Sequence, residues 1–225
     1  MIQATKILKG NNYMDIQFYG ANCVRINTKE ATVVIDDNLK SLGKKSITKK
    51  DNIALLTNPL TRDETILKDT KAVIDMPGEY ELSQVSILGV PAQAHIDESG
   101  ENAVMYRLVI GDIRIAVIGH IHPDFPEEKL EELGTIDIVF IPVGGNGYTL
   151  DPVGATKLIK KLDPKIIIPT HYEIKGINYE VPQQPLEEAL KALSMEPSET
   201  TEKLKLKPNA ALPESKQLII IEPQG

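Results

Sequence analysis

The amino-acid sequence predicts an α/β fold in which two β-sheets pack face to face and helices cover the outside. Three observations lead there. Residues 14 to 119 form a series of short β-branched runs, each of strand length and bounded by Gly, Asn, Asp or Pro. Beyond residue 120, apolar runs alternate with segments of helical periodicity, the grammar of βαβ units and parallel pairing. The composition, 41% hydrophobic and 25% charged over 225 residues, supplies enough apolar material for one large core.

In chain order, "MDIQFYG" (14 to 20), "CVRIN" (23 to 27), "ATVVID" (31 to 36), "NIALLT" (52 to 57), "KAVID" (71 to 75) and "VSILGV" (85 to 90) read as strands. "AVMYRLVIG" and "IRIAVIG" follow, with Gly111-Asp112 between them, so 103 to 119 reads as a hairpin with a tight turn. "PDFPEEKLEELG" has early acidic residues, apolar residues at helical spacing and Gly134 as a stop, which places a helix over 126 to 133. "IDIVFIPVGG" is a strand, "DPVGATKLIKKLD" a helix with Pro152 just inside it, and "KIIIPTHY" a strand again. "PLEEALKALSM" (185 to 195) is a further helix with Leu186, Ala189, Leu190 and Leu193 on one face. "SETTEKLKLKPNAALPES" is polar and Pro-broken and reads as a tail loop before the closing strand "KQLIIIE". The organisation expected is one domain over 1–225, with 1–13 as an N-terminal extension and 196–225 as tail loop and closing strand.

A net charge of −7 argues against nucleic-acid binding, which needs a broad phosphate-neutralising surface; Lys44, Lys45, Lys49 and Lys50 read as a solvated loop. One cysteine precludes an internal disulfide, and no apolar stretch approaches the roughly 20 residues of a membrane span. With no signal-peptide h-region, a cytoplasmic protein is expected. Cys23 reads as a small buried residue, and Asp36 and Asp37 as turn-forming or strand-capping residues. "PVGGNGYTLDP" is Gly-rich but matches no phosphate-cradling motif.

Four histidines carry the functional signal: His95, His120, His122 and His171. His120 follows "IRIAVIG", His122 lies two residues on, and His171 follows "KIIIPT". In sheets flanked by helices, ligands collect beyond the carboxyl ends of the strands, where loops converge on a rigid frame. Each of these histidines alone is more simply a hydrogen-bonded strand-end residue. Several on one edge point to a site.

The order of segments resembles the metallo-β-lactamase fold, and within it the uncharacterised bacterial metal-dependent hydrolases related to ascorbate-phosphate lactonases. The resemblance runs from about residue 14 to the end and rests on "IQFYGANCVRI", "VVIDDN", "DMPGEYEL", "GVPA", "GENAVMYRLVIGDIRIAVIG", "EEKLEELGTIDIVFIPVGG", "TLDP" and "PKIIIPTHY" in the family's order. It implies a four-layer αββα sandwich and, from the family's chemistry, a metal-dependent hydrolase. It also implies that the Gly-rich loop turns back near the site. The family's HxHxDH signature falls here on "NPLTRD": Asn58 and Leu60 stand at the first two His, Arg62 at the Asp and Asp63 at the final His. His95 fits the next ligand, with Ala94 as the other counterpart; His120 stands at the bridging Asp, and His171 at the last ligand.

Two metals a few Å apart repel, and bridging carboxylates normally offset that charge, so this sequence disfavours a dinuclear centre. A single zinc on His120, His171 and either His95 or Asp63 is one alternative. Arg62 would repel such a cation, and with the histidines would instead form a metal-free positive pocket for a phosphate or carboxylate. Asn58, Arg62, His122 and Tyr172 are the expected pocket-lining residues; Tyr172 is open between core packing and an orienting hydroxyl. Three readings therefore stand: a hydrolase with at most one zinc, a pseudoenzyme that binds a small anion or a protein partner, and a purely structural or oligomerising protein, a homo-oligomer being compatible with each.

Overall fold

The computed structural model describes residues 13–95, 102–209 and 211–225; the expected N-terminal extension lies outside them except for Tyr13. The elements are β1 (Met14–Gly20), β2 (Cys23–Asn27), β3 (Thr32–Ile35), β4 (Ile53–Leu55), α1 (Glu64–Leu67), β5 (Ala72–Ile74), β6 (Gly78–Leu82), β7 (Val85–Ala92), β8 (Ala103–Ile110), β9 (Ile113–Val117), α2 (Glu127–Leu133), β10 (Ile138–Pro142), α3 (Pro152–Leu162), β11 (Ile166–Thr170), α4 (Leu186–Leu193), β12 (Glu199–Thr201), β13 (Leu204–Leu206) and β14 (Gln217–Ile221). They form one sheet in the order β13-β1-β2-β3-β4-β5 and a second in the order β12-β14-β11-β10-β9-β8-β7-β6.

Local sequence explains these elements. β1 alternates buried and half-buried residues, Met14, Ile16 and Phe18 turning to the core, as a strand covered on one face should. β10 and β11 are buried at every position and pair in parallel, Ile138 opposite Ile166 through Pro142 opposite Thr170. Such unbroken apolar runs need cover on both faces. α3 begins where the Asp151 carboxylate accepts a hydrogen bond from Gly154 N at 2.7 Å, with Pro152 in the first turn, and turns Ala155, Leu158, Ile159 and Leu162 inward. The β8–β9 hairpin turns at Gly111, whose φ of +61° a residue with a Cβ adopts only with strain.

The polar tail holds more structure than its composition suggests. Within it β12 pairs in parallel with β14, Glu199 opposite Ile219, and β13 pairs antiparallel with β1, Leu206 opposite Met14. Both are three-residue strands at sheet edges, held by backbone hydrogen bonds; β12 shows no apolar pattern, and β13 turns only Leu204 and Leu206 to the core. The expected tail loop is thereby corrected to two edge strands on opposite sheets.

Parallel pairing sets the polarity of the sandwich. β3, β4 and β5 run in parallel in the first sheet, and β9, β10, β11 and β14 in the second. Asp36, Thr57, His120 and His171 each lie one to three residues beyond a carboxyl end of this set. Among the described residues, no helix is long and apolar enough to cross a membrane.

At this edge Gly119, with φ +65°, presses against Thr57: a Cβ there would lie 2.2 Å from Thr57 Oγ1 and 2.3 Å from its Cβ. Gly119→Ala is therefore expected to lower stability by about 2–4 kcal/mol through combined backbone strain and overpacking, measured as a shift of the urea midpoint.

Candidate functional site

The two sheets meet at Thr57. Its N–H and hydroxyl donate to the two oxygens of the Asp36 carboxylate, at 2.7 and 2.5 Å, and its carbonyl accepts from Val104 N at 2.8 Å. Asp36 is fully buried, and burial outweighs the Thr57 hydrogen bonds, pushing its carboxyl up to about 6. Asp37 gathers Ser46 Oγ, Ile47 N, Thr48 N and Thr48 Oγ1 onto one oxygen and pins the lysine-bearing loop. Both aspartates thus act as turn clamps. Cys23 is wholly buried, and burial, first, with Asp37 and Asp36 raises its thiol well above the usual range, so it stays an unreactive thiol.

Beyond Thr57 lies the loop where the resemblance puts metal ligands, and its side chains are committed elsewhere. Asp63 is the N-cap of α1, accepting from Thr65 N at 2.9 Å and Thr65 Oγ1 at 2.6 Å, with Lys40 Nζ 3.3 Å away. Thr65, first, and then Lys40 hold its carboxyl below the usual value. The Arg62 guanidinium is ion-paired with both Glu64 and Asp75, which together cancel its charge. Arg62, expected at the centre of a positive pocket, is met by these two carboxylates. Asn58 and Arg62 do line an open cleft of about 710 Å³ at the mouth of the sandwich, which Tyr148 and Glu180 share.

Of the four histidines, the structure packs His120 and His171 against each other. Their rings meet edge-on with centroids 4.6 Å apart, and they are 6% and 1% exposed. His171 stands at φ +52°, a strained conformation held by the bond from its N–H to Ala21 O at 2.7 Å. Its Nδ1 faces Gln183 Oε1 at 3.0 Å, while Gln183 Nε2 donates to Val181 O. His120 Nδ1 faces Tyr148 O at 3.4 Å. Each Nδ1 is therefore assigned the proton, because its partner is an oxygen acceptor, and each Nε2 carries the lone pair. Gly144 lets this arrangement close: a Cβ there would lie 2.0 Å from His171 O and 2.1 Å from Gln183 Oε1.

Tyr148, from the Gly-rich loop after β10, lies 5.1 Å from the His120 ring and 5.8 Å from that of His171, and Tyr179 lies 5.3 Å from His171. The loop does turn back onto the site. Tyr148, Gln183 and Tyr179 escaped the sequence reading, since lone aromatic and amide residues in loops carry no periodicity; only the resemblance pointed to the loop.

His95 and His122 form a separate pair, with ring centroids 5.7 Å apart. His95 N donates to His120 O at 3.0 Å, which keeps it beside the site, and its Nδ1 is buried without a hydrogen-bond partner. His122 Nδ1 accepts from Asp124 N at 3.1 Å, a local turn contact. Tyr172, expected at the pocket, packs its ring on Phe18 at 5.7 Å and is buried, so core packing is its role. Among the described residues, no three His, Cys, Asp or Glu side chains are placed to hold one ion.

A family model described as the β-lactamase superfamily domain matches residues 15–171. The chain belongs to that superfamily. The metallo-β-lactamase fold agrees with its neighbours among solved structures: a Zn-dependent hydrolase of the metallo-β-lactamase superfamily from Thermotoga maritima superposes with a TM-score of 0.68 at 24% identity, covering 92% of this chain and 98% of that one. A metallo-hydrolase from Ignicoccus hospitalis gives 0.58 at 15% identity, over 86% and 98%. A UPF0173 metal-dependent hydrolase from Thermococcus onnurineus is 33% identical over 100 residues, 42% of this chain and 44% of that protein. One from Carboxydothermus hydrogenoformans is 30% identical over 102 residues, again 42% and 44%. The matched stretch thus spans less than half of these relatives. The family model thus shows the superfamily, and the solved structures show the fold.

Burial holds both imidazoles neutral, lowering His120 to about 4 and His171 to about 3, the second helped by His120. A depressed folded value means that stability is complete above the unfolded value near 6.5 and drains away as pH falls. At pH 5 each imidazole is expected to forfeit about 2 kcal/mol relative to pH 7. Asp36, whose value is raised, works in the opposite sense and restores about 1 kcal/mol over the same interval. Net destabilisation at pH 5 in urea titrations, reduced by roughly two thirds in His171→Gln, is the expected result.

Proposed function

We propose that this chain is a superfamily member that has given up two-metal hydrolysis and keeps the mouth of the sandwich as a binding site for a small polar ligand. The observation carrying this reading is the state of the former ligand loop: Asp63 caps α1 and meets Lys40, while Arg62 is clamped by Glu64 and Asp75. A two-metal centre needs bridging anionic donors to offset cation repulsion, and the donors packed together here are the neutral imidazoles of His120 and His171. The residues present therefore do not fit the dinuclear group. The same charges argue against a small anion as the ligand, since the one arginine of the cleft is neutralised and the imidazoles are uncharged.

A second reading, a single zinc, has one observation in its favour. Both Nδ1 atoms are turned to oxygen acceptors, the arrangement that leaves Nε2 of His120 and His171 free to ligate, and His95 lies alongside with an unpartnered Nδ1. Bound there, zinc would supply a Lewis-acidic, water-activating centre.

Metal analysis of protein purified without added zinc separates the two. The expected outcome is substoichiometric metal that His171→Ala leaves unchanged. Stoichiometric zinc lost on that substitution would replace the first reading by the second.

A further inference from the structure

Two border strands of the sandwich carry opposite charge. β13 ends the first sheet and β6 ends the second, and among the described residues no strand pairs with the outer edge of either. They lie on opposite flanks, since β6 follows β5, the far border of the first sheet from β13, after three residues. Along β6 the exposed Glu79 and Glu81 alternate with Tyr80 and Leu82, which pack against the core. Along β13 and its flanks Lys203, Lys205 and Lys207 alternate with Leu204 and Leu206, which also reach the core. Glu-Tyr-Glu-Leu and Lys-Leu-Lys-Leu-Lys match position by position, acid to base and apolar to apolar.

These charges are open to a contact. Among the described residues, Glu79 and Glu81 have no ion pair, Glu81 meeting only the Ser86 hydroxyl. Lys205 and Lys207 are exposed with no carboxylate partner, whereas Lys203 is held by Asp15 at 3.5 Å. Each edge also has a large apolar side chain in solvent beside it. Met76, 63% exposed, stands in the turn before β6, and Tyr13, 39% exposed, lies under Lys207, whose Nζ is 5.7 Å from its ring.

Self-pairing of like edges is disfavoured. Antiparallel β6 on β6 about Tyr80 sets Glu79 opposite Glu81, and β13 on β13 about Lys205 sets Lys203 opposite Lys207; like charges directly opposite destabilise a strand pair. Unlike edges fit. Antiparallel β13 on β6 sets Lys205 opposite Glu81 and Lys207 opposite Glu79, with Leu206 beside Tyr80 and Leu204 beside Leu82, and brings Tyr13 and Met76 to the same end. We infer that copies of this chain associate head to tail, the β13 edge of one pairing with the β6 edge of the next. Such a contact is heterologous, so every pair of copies keeps one edge of each kind for a further copy.

The test follows the mass of the full chain by light scattering from about 10 μM to about 1 mM at low salt. Wild-type mass is expected to rise above the 24.8 kDa of one chain and to fall back as salt is added. Two variants cap the two edges: Glu79→Lys with Glu81→Lys, and Lys205→Gln with Lys207→Glu, Gln being chosen because Lys205 lies opposite Asp15 within the chain. Each should weaken self-association by about tenfold. Mixed together, the two keep one intact edge of each kind and should form dimers that grow no further. A wild type that stays monomeric at every concentration, a capped variant that associates as wild type does, or a mixture that stays monomeric overturns the inference.

Discussion

The structure depends on the junction that Thr57 makes at the mouth of the sandwich. Its amide and hydroxyl go to Asp36 from the first sheet, its carbonyl takes the amide of Val104 from the second, and its side chain fills the space that Gly119 leaves open. A buried carboxylate costs energy unless donors surround it, and the two Thr57 donors make this one tolerable. In return, that junction fixes where β4 ends, where the following loop departs, and how close His120 comes to His171. The site is a product of this three-way contact rather than of any loop alone.

Much of this architecture was legible in the residues. The fully apolar runs of β10 and β11 announced strands covered on both faces, and Asp151-Pro152 announced the start of α3. Strand-end placement of His120 and His171 correctly predicted a shared edge. What escaped was governed by long-range contact. β12 and β13 form because sheet edges offer unpaired backbone, a demand written in the partner strands β14 and β1 rather than in the polar tail itself. The charge of Arg62 was legible, but not its neutralisation, since Asp75 lies thirteen positions away in sequence and only the fold brings it close. His122 and Tyr172 looked like site residues by proximity in sequence to His120 and His171; the fold instead takes His122 into a local turn with Asp124 and packs Tyr172 on Phe18.

At the mouth of the sandwich the charged side chains of the loop after β4 are committed to structural contacts. A pair of cations requires surplus negative charge in the ligands. Here the acids near the opening are distributed among the Thr57 clamp, a helix cap, two guanidinium contacts and the solvent, and the two packed imidazoles are neutral heterocycles. Retention of the fold needs none of that metal chemistry, because the core is carried by the apolar faces of the two sheets and the helices upon them.

The two short strands of the tail carry a further implication. β12 closes one border of the second sheet and, two residues later, β13 closes one border of the first. Both laminae are thus hemmed by a single stitch drawn late in the chain: β13 meets a margin already made, β1, whereas β12 waits for β14 to emerge after it. Any lesion that frees this stitch would open two self-associating margins at once.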